Sequence, residues 1–255
     1  MFKEIAYQIW SCRNHLDTPE NFRNALKTIR EMGYTQIQSG DNHIGVLTHE
    51  QFAEYVKEAG LKLIGNHTDI PETEEGMAEL VRIHKMFGTN LVGVGAQRSK
   101  TTAELMEFID KANNFANYLA KHGMKFTYHH HSHEFAWIEG VRHIELLLEH
   151  LNENCSFVLD TYWLNNSGVE IIPWLRKFKG KCDILHLKDR GIIPFSSTGF
   201  ITECGNGNID FEEVLKVAEE IGVKYICVEQ DDWPEDGDSF TSAKQSFDNL
   251  KKYLG

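Results

Sequence analysis

Four strand-like segments of this 255-residue chain each end in one side chain that can bind a metal ion. These side chains are Glu134 in YHHHSHE, Asp160 in SFVLD, His186 in CDILHLKD and Glu229 in YICVEQ. Three carboxylates and one imidazole form a ready ligand set for a divalent cation. Glu134 to Asp160 and Asp160 to His186 are both steps of 26 residues, the length of one strand, one helix and two loops. The pattern indicates an enzyme in which a repeated structural unit positions each ligand.

Each of these residues also has a simpler structural explanation. Asp160 alone could cap the helix that follows it, because strand-end carboxylates often do so. Four chelating groups on four different strand ends are harder to explain as capping, and they favour a metal site. Three oxygen donors and one imidazole favour a single divalent metal ion, with Mn²⁺ preferred, Mg²⁺ and Co²⁺ close to it, and Zn²⁺ compatible.

The elements that would position these residues follow from hydrophobic periodicity. Helical stretches repeatedly end at or near a Gly and pass into a β-rich run. This signature occurs in REMGYTQIQ, KEAGLKLIG, KMFGTNLVGV, KHGMKFTYHH, KGKCDILHL and EEIGVKYICVE, and IAYQIW and CSFVLD bring the strands to eight. The helical pattern covers 19–32, 49–59, 72–87, 102–122, 140–152, 172–179, 211–221 and 239–253.

Strands separated by helices run parallel, and eight such units in about 250 residues fit a closed (β/α)8 TIM barrel. We therefore expect one (β/α)8 domain over residues 1–255. The segment 189–208 is the one long irregular stretch, and we expect it to cover the barrel mouth; a plain surface insertion is the alternative.

In a parallel barrel the active site forms where the carboxyl ends of the strands converge. Hydrogen-bonding and stacking groups at other strand ends suit a polyhydroxylated ligand, and the candidate substrate-binding residues are Trp10, Gln38, His67, His131 and Lys188. Strand alternation allows at most two of the His129, His130, His131 and His133 side chains to reach one ligand. Alternation also directs Glu134 away from the face of His131, so Glu134 needs a bend in the chain. His84, His122, His143 and His150 fall on helical segments and are expected to face solvent.

Composition excludes several classes of protein. A net charge of −12, without a basic stripe, disfavours nucleic acid as a partner. No stretch approaches the roughly 20 apolar residues of a membrane span, and the N-terminal segment does not match a secretory signal. The five Cys residues show no paired spacing. We therefore expect a cytoplasmic protein without disulfides, membrane contact or bound nucleic acid.

Several motifs together resemble the xylose isomerase-like TIM barrel superfamily, specifically its sugar phosphate isomerase/epimerase branch. YHHHSHEF is similar to that branch's Tyr-His-Asn-His-x-x-Glu-Phe, and LDTYW, LHLKD, VEQDD and ECGNGNIDF match further segments. The resemblance spans nearly the whole chain. It implies that Glu134, Asp160, His186 and Glu229 bind the metal and that a homo-oligomer is compatible with the fold. His130 and Asn206 depart from the branch, which often has Asn and Glu there.

The function that we expect is a divalent-metal-dependent isomerase or epimerase of a sugar or sugar derivative. The metal would stabilise an enediolate, and Glu134 and Glu229 would move the proton. A dehydratase or lyase acting on a keto-sugar or keto-inositol is the first alternative, because the same intermediate can expel a β-hydroxyl. A non-catalytic sugar-binding or metal-binding barrel is the second. The superfamily's DNA-repair endonucleases fit less well because of the net charge.

Overall fold

The computed structural model describes residues 2–42, 44–233 and 237–255. Eight parallel strands pair in chain order, and the last pairs with the first to close a barrel. The barrel strands are Ala6–Gln8, Gln36–Gly40, Lys62–His67, Leu91–Val94, Lys125–His129, Cys155–Asp160, Cys182–Leu187 and Tyr225–Val228. The predicted (β/α)8 barrel is therefore confirmed, while the prediction of one domain over residues 1–255 stays a prediction.

Helices connect the strands. In the described residues they are α1 (Pro19–Met32), α2 (His49–Glu58), α3 (Glu74–Phe87), α4 (Thr102–Ala120), α5 (His143–His150), α6 (Thr161–Asn166), α7 (Ile171–Lys177), α8 (Phe211–Ile221) and α9 (Ser239–Leu250). The sequence signals that begin them are Thr and Asp caps: Thr18, Thr48, Thr73, Thr101, Asp210 and Asp238 each accept a hydrogen bond from a backbone amide of the first turn. None of the helices in this part of the chain is long and apolar enough to cross a bilayer.

The glycine at each predicted helix stop has a left-handed backbone. Gly33, Gly60, Gly88, Gly123, Gly180 and Gly222 have φ values between 68° and 116°. Other residues reach this region only with strain, so these glycines end the helices and direct the chain into the next strand. The repeated motif therefore encodes the alternation of helix and strand.

The interior of the barrel fixes which strand residues face the axis. Ala6, Ile64, Leu91, Val158, Ile184 and Cys227 come from six strands and form one buried cluster. Side chains two positions apart on a strand share a face. Asp160, His186 and Glu229 follow Val158, Ile184 and Cys227 by two positions, so they extend the interior face at the carboxyl end of the barrel.

The segment 189–208 differs from the expectation of an irregular loop. Asp189–Ile192 and Gly199–Thr202 pair as an antiparallel hairpin. The buried Asp189 carboxylate accepts hydrogen bonds from the amides of Gly205, Gly207 and Ile209 at 2.9 to 3.1 Å, which pins the chain after the hairpin. A Cβ at Gly207 would lie 2.4 Å from Asp189 Oδ1, so this close approach requires glycine.

Two histidines on helical segments are buried, although the helical pattern predicted that they face solvent. His84 on α3 is fully buried and His143 on α5 is 4% exposed. His84 Nδ1–H donates to the carbonyl of Leu80 at 2.8 Å, one turn earlier, while its Nε2 has no hydrogen-bond partner among the described residues. A helical pattern alone did not show that the α3 face bearing His84 packs inward. His122 and His150 are exposed, as expected.

Burial of His84 gives a testable pH dependence. Burial lowers the pKa of His84 below its ordinary value of 6.5, because the interior disfavours the charged ring. As pH falls below about 6.5, the unfolded chain takes up the proton before the folded chain does. Stability is therefore full above that pH and is lost on acidification, by up to about 1.4 kcal/mol per pH unit for this group. Urea unfolding at pH 7 and pH 5.5 should show a smaller loss for His84→Leu than for the wild type; equal losses would contradict the prediction.

Candidate active site

Four buried side chains converge at the carboxyl end of the barrel. One ligand atom from each of His129, Asp160, His186 and Glu229 lies within 4.8 Å of the others. His186 Nδ1 is 2.9 Å from Glu229 Oε2 and 3.8 Å from Asp160 Oδ2. His129 Nε2 is 3.7 Å from Asp160 Oδ2. Two imidazole nitrogens and two carboxylate oxygens thus face one small volume.

The strand register produces this convergence. Asp160 and His186 are direct partners across the sixth and seventh strands. His129 is paired with Val158, two residues before Asp160, and Glu229 N–H donates to the Leu187 carbonyl, one residue after His186. The four residues therefore lie at similar heights along the barrel axis, at the carboxyl ends of their strands.

The residues fit a divalent cation by two observations. His129 Nε2 is buried and has no hydrogen-bond partner within the described part of the chain, while the buried Asp160 Oδ2 lies 3.1 Å from the Lys188 ammonium. A buried imidazole nitrogen without a partner is costly unless a cation or proton joins it. Two nitrogen and two oxygen donors also match borderline divalent ions.

His186 supplies a second argument. Both ring nitrogens of His186 face oxygen atoms: Nδ1 lies 2.9 Å from Glu229 Oε2, and Nε2 lies within hydrogen-bond distance of Gln38 Oε1. A divalent cation bound at Nδ1 would leave the Nε2–H group to donate to Gln38 and would also offset the charge of the Glu229 carboxylate. Gln38 also donates a hydrogen bond from its Nε2 to Nε2 of His67 at 3.1 Å, so the Gln38 side chain links His186 to His67.

Glu134 does not join this group, in contrast to the sequence expectation. A short 3-10 helix, His133–Phe135, turns its carboxylate back, so that Oε1 accepts from Tyr128 Oη and Oε2 accepts from the amide of His131, both at 2.8 Å. Burial raises the pKa of this carboxyl. It forms a separate group with the rings of His131 and His133. The bend assumed from the sequence exists, but Glu134 lies in this second group and not with Asp160, His186 and Glu229.

His129 occupies the position expected for Glu134. Strand alternation predicted that at most two side chains of the His tract reach one ligand, but it did not single out His129. Strand alternation offered a signal for His129, because the buried Thr127, two residues earlier, lies on the same face of the strand. His129 is almost fully buried, and burial lowers its pKa, which keeps the ring neutral and able to bind a metal.

His130 braces the site from the other face of its strand. Its Nε2 accepts from the backbone amide of Asp160 at 3.0 Å, and its Nδ1–H donates to the His131 carbonyl at 3.1 Å. Burial lowers the pKa of His130 to about 4, which preserves the neutral ring needed for both bonds. Asn has the same pair of donor and acceptor, which explains why His can stand where the resembling branch often has Asn.

Lys188 is the positive charge of the site. Its Nζ lies 2.7 Å from Glu229 Oε2, 3.1 Å from Asp160 Oδ2 and 2.8 Å from Asp231 Oδ2. Burial opposes the charged form most strongly, but the three carboxylates together exceed that effect and raise the pKa of Lys188. The same ammonium outweighs burial at Glu229 and, with His186, lowers the pKa of that carboxyl.

A cavity of about 780 Å³ opens beside this cluster. Its lining includes the predicted substrate-binding residues Trp10, His67 and His131, and also Glu229 and His129. Gln38 and Lys188, predicted with them, are fully buried next to these residues and are not part of the lining. The roles of all five in substrate binding stay predictions.

Several lining residues were not anticipated from the sequence. Asp231 follows Glu229 by two positions, so strand parity could have indicated it. No sequence pattern indicated that Trp163, in the first turn of α6, or Arg13 would line the cavity. Arg13 donates to the Asp231 carbonyl at 2.7 Å and lies 4.3 Å from the Trp10 ring centre, so it ties the N-terminal segment to the last strand end.

The fold and site together define a parallel (β/α)8 barrel with a buried candidate metal centre at its carboxyl end. The chain belongs to the xylose isomerase-like TIM barrel family, whose model matches residues 26–253. The family resemblance inferred from the motifs is therefore confirmed.

Individual relatives are more distant. An inosose dehydratase of Clostridium perfringens is 31% identical over 127 residues, which are 44% of this chain and 42% of that protein. The match thus spans less than half of this relative's length. A crystal structure of a sugar phosphate isomerase/epimerase from Parabacteroides distasonis superimposes with a TM-score of 0.80 at 20% identity, covering 100% of this chain and 96% of that one. A crystal structure of the IolI protein with a zinc atom has a TM-score of 0.72 at 16% identity and covers 99% of both chains.

Proposed function

We propose that this protein is a metal-dependent enzyme that removes a proton from the carbon next to the carbonyl group of a sugar derivative, with loss of water as the outcome. One observation carries the proposal: the carboxylate of Glu229 belongs to the candidate metal centre and also lines the large cavity. A base placed there can act on a substrate whose carbonyl oxygen lies at the metal.

His129, Asp160, His186 and Glu229 would hold the cation. A bound divalent ion would draw electron density from a carbonyl oxygen and so acidify the adjacent C–H group. Two nitrogen donors in place of one make Zn²⁺ and Co²⁺ as suitable as Mn²⁺, and Mg²⁺ less suitable. The structural neighbour with a zinc atom is consistent with this choice.

The protein's own groups supply the proton transfers. Glu229 is ionised at neutral pH because its pKa is lowered, so it can accept the proton from carbon. The electron pair left on carbon forms the new double bond as the neighbouring carbon–oxygen bond breaks. Asp231 lines the cavity and accepts a hydrogen bond from the Lys188 ammonium at 2.8 Å, so a proton from this pair can pass through the Asp231 carboxyl to the departing hydroxyl. The leaving group is then water, and no other reactant is required.

The position of Glu134 favours dehydration over epimerisation. Epimerisation by two carboxylates needs one on each face of the substrate, and Glu134 is engaged by Tyr128 and His131 and is not among the cavity-lining residues. The curated relatives named inosose dehydratase point in the same direction. Aldose–ketose isomerisation is the second candidate, because one base on one face, Glu229, is enough for it.

The walls of the cavity favour a neutral polyhydroxylated substrate. The aromatic rings of Trp10 and Trp163 can pack against the apolar face of a sugar or inositol ring. Carboxylates outnumber guanidinium groups in the lining: Asp41, Asp69, Glu229, Asp231 and Asp232 against Arg13 and Arg98. A phosphorylated substrate would meet net repulsion there, as would nucleic acid.

The proposal is tested with neutral keto-sugars, keto-inositols and aldoses in heavy water, with Mn²⁺, Co²⁺ or Zn²⁺ added. A dehydratase yields a product with the ultraviolet absorbance of an enone or diketone. An isomerase yields deuterium-labelled product without that absorbance. We expect the first result with a keto-inositol or keto-sugar. Binding of such compounds without deuterium exchange or product under all three metals would refute the enzymatic proposal and leave a binding protein.

A further inference from the structure

Lys188 lies inside the candidate metal centre. Its ammonium group contacts Glu229 Oε2 at 2.7 Å and Asp160 Oδ2 at 3.1 Å, the two carboxylate oxygens of the ligand group. The side chain is only 1% exposed, so this charge is enclosed with the carboxylates. A lysine in this position is a monovalent cation bound to the atoms that a divalent cation would use.

Two cations cannot share these oxygens without cost. At separations near 3 Å, like charges in a protein interior repel by several kcal/mol even at an effective dielectric constant of about 20. A divalent ion bound to Asp160 and Glu229 therefore repels Lys188 and competes with it. Without the divalent ion, the same lysine offsets the charge of two carboxylates that burial would otherwise destabilise.

The structure offers Lys188 another partner. Asp231 Oδ2 is already 2.8 Å from Nζ, and this carboxylate lies at the cavity rather than in the ligand group. The ring centre of Trp163 lies 5.0 Å from Nζ and can stabilise the ammonium by a cation–π contact. Lys188 can therefore leave the two ligand oxygens and keep a charged partner and an aromatic one.

We propose that Lys188 is an internal counter-ion that holds Asp160 and Glu229 before metal binding and withdraws onto Asp231 when a divalent cation arrives. This proposal rests on the metal centre proposed above. It makes Lys188 a determinant of metal affinity and of the stability of the metal-free protein, and makes Asp231 the residue that allows the exchange.

The first test is Lys188→Met, which keeps the length of the side chain and removes its charge. We expect the dissociation constant for Mn²⁺, measured from the electron paramagnetic resonance signal of free Mn²⁺, to fall by at least about tenfold. In the presence of a chelator, the same variant should melt at a lower temperature than the wild type, because two buried carboxylates lose their counter-ion. Lys188→Gln gives the same comparison if the Met variant does not fold.

The second test is Asp231→Asn, made in the wild type and in Lys188→Met. In the wild type, this change removes the partner onto which Lys188 withdraws, so Mn²⁺ binding should weaken. In Lys188→Met, only the general loss of one negative charge remains, and the weakening should be clearly smaller. This non-additivity separates the exchange from a simple electrostatic effect of either residue.

The outcomes are distinct. Mn²⁺ binding by the wild type with equal or weaker binding by Lys188→Met would overturn the counter-ion proposal and leave the metal centre standing. Equal effects of Asp231→Asn in both backgrounds would refute the role of Asp231. Failure of both proteins to bind Mn²⁺, Co²⁺ or Zn²⁺ would refute the metal centre and this proposal with it.

Discussion

Replacing His129 with Ala is expected to weaken Mn²⁺ binding by about 10- to 100-fold or more, because loss of a direct ligand should cost no less than loss of a residue that merely orients one. His129 Nε2 is a buried nitrogen without a hydrogen-bond partner in the described residues, and it faces Asp160 Oδ2 at 3.7 Å. Its most direct role is to complete the ligand set with Asp160, His186 and Glu229. Titration of Mn²⁺ into the purified protein measures the loss.

The matched control is Glu134→Gln, five residues along the chain. Glu134 accepts hydrogen bonds from Tyr128 Oη and the His131 amide, so the amide side chain should disturb the turn and lower thermal stability. Mn²⁺ affinity should stay within a few-fold of the wild type, since neither oxygen is part of the ligand group. The opposite pattern, with Glu134→Gln losing Mn²⁺ and His129→Ala retaining it, would restore the ligand set that the motifs implied.

The contrast between these two residues shows how far the sequence determines the site. Asp160, His186 and Glu229 could be located from the sequence because each follows a buried strand residue by two positions. Residues two positions apart share a strand face, so these three side chains point into the barrel where their strands end. Glu134 lies beyond the last residue of its strand, where parity no longer applies. Its direction depends on a 3-10 turn and on a hydroxyl six residues earlier, and neither has a sequence signature.

The same distinction holds for the fold. Gly stops and Thr or Asp caps act within a few residues, so helices such as α1 and α8 were predicted with the observed bounds. The hairpin within residues 189–208 depends on Asp189 binding amides 16 to 20 residues later, a long-range contact that local propensity does not encode. Burial of His84 likewise depends on the tertiary packing of α3.

Replacing Glu229 with Gln is expected to reduce turnover by about 10²–10⁴-fold through loss of the base alone, whatever the identity of the sugar derivative. The amide cannot accept a proton from carbon, and it cannot offset the charge of Lys188, whose Nζ lies 2.7 Å from Oε2. Because Glu229 is also a candidate ligand, lost activity has two separable causes. Measuring turnover at Mn²⁺ concentrations that saturate the variant removes the effect of metal affinity.

Proton exchange then identifies what Glu229 does. With saturating metal, Glu229→Gln should bind the substrate and still fail to exchange its labile hydrogen with heavy water, since exchange requires the base but not departure of the hydroxyl. Asp231→Asn should show the reverse: hydrogen exchange continues while product formation slows, because the group that protonates the leaving hydroxyl is gone. Exchange at the wild-type rate in Glu229→Gln would exclude it as the base. If Asp231→Asn loses both hydrogen exchange and product formation, the Asp231 carboxylate takes part in removing the proton from carbon. That is the role proposed here for Glu229.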